Sequence, residues 1–178
     1  VAVGSFHGQQ VMDWRRGLIL SIPAIVGSIV GAQIAVNLDE TMMRRTIGAL
    51  MVVMLVVIWV RPQHWLEGRP ELADKPFGWV QGLIFFAIGV YGGFIQVGVG
   101  IFLLAALVLS AGYDLVRANA VKVLIVLLFT ISALGVFMFN EQVVWSIGLI
   151  LAVGQMLGAW VAARMAVKRG AAFVRWLL

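Results

Sequence analysis

Cysteine is absent and charge is scarce. With no cysteine in the chain, a disulfide scaffold, a thiol nucleophile and a thiolate metal site are all excluded. Charged residues fill 12% of the 178 positions and hydrophobic ones 62%; an average soluble domain has roughly 25% and about 45–50%. A mean hydropathy of +1.03 leaves too few polar side chains to cover a water-soluble globule, and it excludes disorder as well. No Asp or Glu lies deep in any apolar interval, so there is no proton-relay carboxylate and no aspartyl protease pair. His7 and His64 both fall outside those intervals, which disfavours an intramembrane serine–histidine hydrolase. Gly-x-Gly-x-x-Gly, the phosphate-binding Gly-Lys-Ser/Thr and metal-ligand clusters are missing too. No enzyme, cofactor or metal is expected.

What remains is an integral membrane protein. A net charge of +5 and a pI near 10.5 raise the question of nucleic acid, but no basic stretch is interleaved with aromatics, and no nucleic acid partner is expected. The 13 Lys and Arg sit between apolar runs, as topology signals do. Spanning helices need about 20 apolar residues. Uncharged intervals are Gly17–Leu38, Val123–Asn140, Gln142–Ala163 and the short Thr46–Val60, which Arg44, Arg45 and Arg61 can extend by snorkelling, and residues 61–75 form a polar linker. The chain starts at Val1 and stops at Leu178 as a further apolar run begins, and both ends read as cut from a longer protein.

Pro76–Tyr113 is uncharged for 38 residues, too long for one crossing. Its centre holds Gly89, Gly92, Gly93, Gly98 and Gly100. Each glycine weakens a helix by about 1 kcal/mol relative to alanine, so a break near Gly93–Gly98 between two short helices is expected. If the interval enters and returns, eleven Lys/Arg share one side and only Arg44 and Arg45 oppose them. A single crossing divides the same residues eight to five. The positive-inside bias favours the return.

Trp14–Arg44 aligns without gaps onto Trp145–Arg175, with identical pairs that include Trp14/Trp145, Gly17/Gly148, Leu18/Leu149, Ile19/Ile150, Leu20/Leu151 and Gly27/Gly158. Combined with a returning interval, the two copies are inverted, the arrangement of many secondary transporters, whose sites lie on broken helices at the repeat interface. Pro23 aligns with Gly154 and is expected to kink the first span.

The glycine cluster is the leading site candidate. A helix break in a bilayer exposes N–H groups that need a partner in protein, water or substrate. Helix N-termini suit small oxyanions, and Gln96 adds an amide donor. Tight packing is the competing role for the same glycines, because small residues let helices approach closely. Ala118-Asn119-Ala120-Val121-Lys122 opens the next helix and sets Asn119 and Lys122 on one face, as an anion contact or as an interfacial anchor. Asp114 and Arg117 are assigned to the preceding loop. Gln155 is expected to hydrogen-bond a neighbouring helix. Tyr91, Thr130 and Ser132 are ordinary polar groups of membrane helices.

At these residues the chain resembles the sulfite exporter TauE/SafE family. The resemblance rests on Gly89-Val90-Tyr91-Gly92-Gly93-Phe94-Ile95-Gln96-Val97-Gly98-Val99-Gly100, on Ala118–Lys122, on Trp145-Ser146-Ile147-Gly148-Leu149 with Gly154 and Gly158, and on Val167-Lys168-Arg169-Gly170. Asp13-Trp14-Arg15 and Gly27-Ser28-Ile29-Val30-Gly31 look like the matching part of a first repeat. The resemblance implies a duplicated permease for sulfite, sulfonates and related organic anions, of which this chain lacks the first glycine-rich helix unit and the last helix. It also implies that Gly92, Gly93, Gln96, Gly98, Gly100, Asn119 and Lys122 are the substrate-site candidates.

The expectation is therefore an all-α, polytopic transmembrane helical bundle with an internal inverted repeat and a glycine-broken helix pair. Residues 1–60 are the remainder of the first repeat, 61–75 the linker and 76–178 the second repeat, truncated at its C-terminus. The expected location is the inner membrane, multi-pass. The expected partners are the lipid bilayer and a small anionic substrate, with homo-oligomerisation left open. The expected function is anion transport by alternating access, and the alternative is a non-transporting membrane subunit or scaffold.

Overall fold

In lipid the backbone of a long apolar run finds hydrogen-bond partners only within itself, and helix is the result. A computed structural model describes residues 14–59 and 78–177, without side chains for 53, 54, 56–59 and 162–177. The described residues are helical, with no strand: α1 Trp14–Asn37, α2 Glu40–Trp59, α3 Trp79–Phe94, α4 Val99–Leu109, α5 Leu115–Phe139 and α6 Trp145–Leu177. α1 and α5 are long and apolar enough to cross a membrane. The polar linker, residues 61–75, lies outside the described residues.

The start of α5 shows local chemistry at work. The Asp114 carboxylate accepts hydrogen bonds from the amides of Val116 (3.0 Å) and Arg117 (2.9 Å), an N-cap of the ordinary kind. α5 therefore begins at Leu115 rather than Ala118, and Arg117 sits in its first turn, 3.4 Å from Asp114 in an exposed ion pair. This corrects the assignment of Arg117 to the loop; Asp114 remains outside the helix, as its N-cap. Pro23 lies inside α1, which continues to Asn37.

α1 to α5 form one compact unit and α6 another. In the first unit α1 and α3 run in the same direction with their backbones in contact. A Cβ added to Gly27 would strike the Phe86 carbonyl, one on Gly31 the Val90 carbonyl, one on Gly89 the Ala24 carbonyl and one on Gly93 the Ser28 carbonyl. Stepping four residues along one helix moves the contact four along the other, so the two glycine pairs form a continuous parallel seam. α5 joins the seam in the same direction. Gly17 meets Val121 and Leu124 near the start of α5, and further along the Ser28 hydroxyl donates to the Phe129 carbonyl at 3.2 Å. Phe85, Leu103, Leu107, Val121, Ile125 and Phe129 fill the core between these helices.

α3 and α4 form a hairpin. The Gln81 side chain, in the first turn of α3, accepts from the Gly78 amide at 3.2 Å and donates to the carbonyl of Ser110, just past the end of α4. From Gly78 onward the uncharged interval thus returns to the end at which α3 starts, and α5 then leaves from that same end. In α6 the described side chains, Trp145 to Val161, are exposed, Gln155 among them, and Cβ positions at Gly148, Gly154 and Gly158 are open space.

Candidate functional site

The tip of the hairpin, residues 95–98, is where backbone groups come free. α3 closes with the Ile95 amide on the Tyr91 carbonyl at 3.0 Å. Gln96 then takes φ 59° and Gly98 φ 69°. The left-handed region is open to glycine but costs another residue roughly 1–2 kcal/mol, so Gln96 is held there by its surroundings. Val97 donates to Ile95 at 2.7 Å, Val99 to Gln96 at 3.4 Å and Ile101 to Gly98 at 2.9 Å. Among the described residues no backbone carbonyl accepts from the amides of Gln96, Gly98 or Gly100. Such amides at the start of an 11-residue apolar helix carry partial positive charge and need an acceptor.

Side chains of α3, α4 and α5 gather around the break. The Gln96 Nε2 donates to Thr130 Oγ1 of α5 at 2.9 Å. The Tyr91 hydroxyl of α3 donates to the Val97 carbonyl at 2.6 Å, and the Tyr91 ring stands edge-on to Phe102 of α4 with centroids 5.3 Å apart. The stem of Lys122 passes over Gly100, whose Cβ position lies 3.8 Å from Lys122 Cδ. Lys122 is seven residues into α5, about 10 Å along the axis, and half-buried. It has no ion pair among the described residues. An unneutralised lysine beside a helix start makes this end of α4 electropositive. The described residues hold no cluster of metal-ligating groups.

The seven residues singled out in the sequence therefore separate. Gln96 and Gly98 form the tip, and Lys122 lies over Gly100 at the start of α4. Asn119 is half-buried one turn nearer the start of α5, and no described hydrogen bond ties it to the tip. Gly92 and Gly93 lie inside α3 with their Cα faces filled: a Cβ on Gly92 would stand 3.0 Å from the Phe129 ring and from Val99, and one on Gly93 would strike Ser28. They set how closely α3 approaches α1 and α5. Two residues treated as ordinary, Tyr91 and Thr130, take part in the tip. Thr130 follows Lys122 by two i, i+4 steps, along one row of the helix surface; the tip had to be known before that spacing carried meaning. Beside the tip an apolar groove of about 460 Å³ is lined by Ile34, Leu50, Val90, Tyr91 and Phe94, among others.

The family model described as sulfite exporter TauE/SafE matches residues 1–178. The chain is similar to the probable membrane transporter protein ORF9 of Sinorhizobium sp, with 27% identity over 167 residues, 94% of this chain and 63% of that protein. It is similar to the probable membrane transporter protein YfcA of Escherichia coli strain K12, with 27% identity over 151 residues, 84% of this chain and 55% of that protein. A probable membrane transporter protein of Haemophilus influenzae is 24% identical over 171 residues, 96% of this chain and 66% of that protein. The chain thus spans between 55% and 66% of the length of these curated relatives. No solved structure matches.

Proposed function

The chain belongs to the sulfite exporter TauE/SafE family, a family of membrane transporters, and from that premise we propose that it is part of a multi-pass inner-membrane permease that moves small anions by alternating access and catalyses no reaction. The substrates it suits are sulfite, sulfonates and related organic anions. The observation that carries this reading is the α3–α4 tip, where the free amides of Gly98 and Gly100 lie beside the Gln96 side chain and Lys122 reaches over Gly100. A desolvated anion there gains backbone donors at a helix start and a compensating positive charge. The substrate set is accordingly Gln96, Gly98, Gly100 and Lys122. Asn119 lies next along the approach, and Gly92 with Gly93 supports the hairpin.

The hairpin also supports the eleven-to-two distribution of Lys and Arg, since Arg15, Arg16, Arg117 and Lys122 all lie in the first two turns or so of helices that run in one direction. On this arrangement the Trp14–Arg44 and Trp145–Arg175 copies are inverted in the membrane, and residues 1–60 and 76–178 belong to successive repeats. The test of topology is accessibility labelling. The chain has no cysteine, so single cysteines at Arg44 and Glu141 are both labelled from the outer side if the interval returns, and from opposite sides if it crosses once. The test of the site is sulfite flux in membrane vesicles. Gln96→Ala and Lys122→Ala each lower it, and unchanged flux in both removes the site assignment.

A further inference from the structure

We propose that Thr130 is a further specificity residue of the anion site, orienting the Gln96 amide and turning its own hydroxyl proton toward the same guest. This rests on the anion-permease reading above and adds to it a residue on α5 that neither spacing nor composition marks.

The first support is how hydroxyls in these helices are otherwise used. A serine or threonine in a helix donates back to the carbonyl one turn earlier. Ser132 does so to Leu128 (3.0 Å), Ser21 to Gly17 (2.7 Å), Ser110 to Ala106 (2.6 Å) and Thr46 to Met42 (2.9 Å). Thr130 makes no such bond among the described residues; its oxygen accepts from Gln96 instead. The hydroxyl proton is therefore left for a partner at the tip. A hydroxyl that accepts a hydrogen bond is also a better donor, because linked hydrogen bonds polarise one another.

The second support is that α5 has little freedom to turn Thr130 elsewhere. The preceding residue, Phe129, is almost fully buried. Its ring fills the space over Gly92, and its carbonyl lies 3.2 Å from the buried Ser28 hydroxyl, whose proton it shares with the Ile25 carbonyl at 2.8 Å. With Phe129 pinned between α1 and α3, its neighbour is directed at the tip. Lys122, Val126 and Thr130 then form one stripe on α5, with a positive charge at one end and a hydroxyl at the other, about 12 Å apart along the axis.

The third support is the sign of the groups presented. Fastening Nε2 to Thr130 keeps the donor edge of the Gln96 amide on the α5 side. Its second hydrogen, the Thr130 proton and the tip amides are all donors, a set that an oxyanion satisfies and a cation does not.

The experiment uses the protein reconstituted in proteoliposomes, with sulfite as the probe, and reads half-saturating concentration and maximal rate separately. Thr130→Val is nearly isosteric and lacks the hydroxyl. It raises the half-saturating concentration about tenfold, the effect of losing one hydrogen bond to a charged group, with the maximal rate little changed. Thr130→Ser restores the original value. Gln96→Ala has a similar effect, and the double variant is no worse than the worse single one, as two residues of one network behave. Ser132→Ala, a hydroxyl on the same helix bonded to its own backbone, changes nothing. If Thr130→Val matches the unaltered protein while Gln96→Ala is impaired, the Thr130 proposal is overturned and the anion site stands. If Gln96→Ala and Lys122→Ala are also without effect, or the unaltered protein moves no sulfite, the underlying reading falls and this proposal with it.

Discussion

The hydroxyl of Tyr91 donates to the carbonyl of Val97 at 2.6 Å, across the break between α3 and α4. That carbonyl belongs to neither helix, so Tyr91 supplies an intramolecular partner that the broken backbone lacks. Tyr91→Phe keeps the edge-on packing against Phe102 and removes the hydrogen bond alone. It is expected to cost about 1 kcal/mol, a fall of roughly 2–4 °C in the melting midpoint of the protein in detergent. Tyr91→Ala loses the ring as well and falls further. Equal midpoints for Tyr91→Phe and the unaltered protein would show that the hydroxyl does not brace the tip.

The glycine seam gives a sharper contrast. A methyl group at Gly31 or Gly93 would run into backbone carbonyls of Val90 or Ser28, whereas one at Gly48 of α2 meets open space. Backbone cannot move aside as a side chain does, so Gly31→Ala and Gly93→Ala are expected to cost about 1–3 kcal/mol or more by overpacking. Gly48→Ala should be neutral or gain up to about 1 kcal/mol from helix propensity. Recovery of folded protein in detergent and its melting midpoint check all three. A Gly93→Ala protein as stable as Gly48→Ala would contradict the close approach of α1 and α3.

These glycines also show where sequence stops being legible. Apolar intervals locate the helices because lipid offers the backbone no alternative partner. The span at Gly17–Leu38 accordingly falls within one residue of the end of α1, and the long interval after Pro76 is too long for one helix. The five central glycines, however, look alike as letters. Spacing does not reveal which neighbour fills each Cα face, so Gly92 and Gly93 could not be told from Gly98 and Gly100, although the first pair packs and the second pair stands at the start of α4. Lys122 was visible as a charge in an apolar context. Thr130 was not, since a lone hydroxyl in a membrane helix is ordinary until its partner on another helix is known. Arg117 was misread for a local reason: a charged residue before an apolar run looks like loop, yet Asp114, which precedes it, is the residue type that caps a helix and starts it at Leu115.

That cap is testable by itself. Asp114 accepts from two amides of the first turn of α5, and Asp114→Ala leaves both without that partner. The expected cost is about 0.5–2 kcal/mol, read as a lower melting midpoint. Asp114→Asn or Asp114→Ser retains an acceptor and should recover most of it. The exposed pair with Arg117 contributes little at a surface, so Arg117→Ala should be nearly silent. If Arg117→Ala were instead the more damaging change, the ion pair rather than the cap would organise this end.

The base of the hairpin allows a local measurement. Gln81 joins the two ends by accepting from Gly78 and donating to Ser110, while Tyr91 ties the opposite end. Gln81→Met preserves length and apolar volume but removes both bonds. Because one partner is a backbone carbonyl outside α4, the loss should be felt most at the turn that follows, where Gly112 takes φ 72° and the Tyr113 amide reaches back to Leu107 at 3.1 Å. Amide hydrogen exchange should quicken over residues 110–113 and stay unchanged at 95–98, whereas Tyr91→Phe should do the reverse, since local opening follows the contacts that are lost. A uniform rise across both ends would mean that the hairpin opens as one piece, and that the two ties act on a single equilibrium rather than each on its own end.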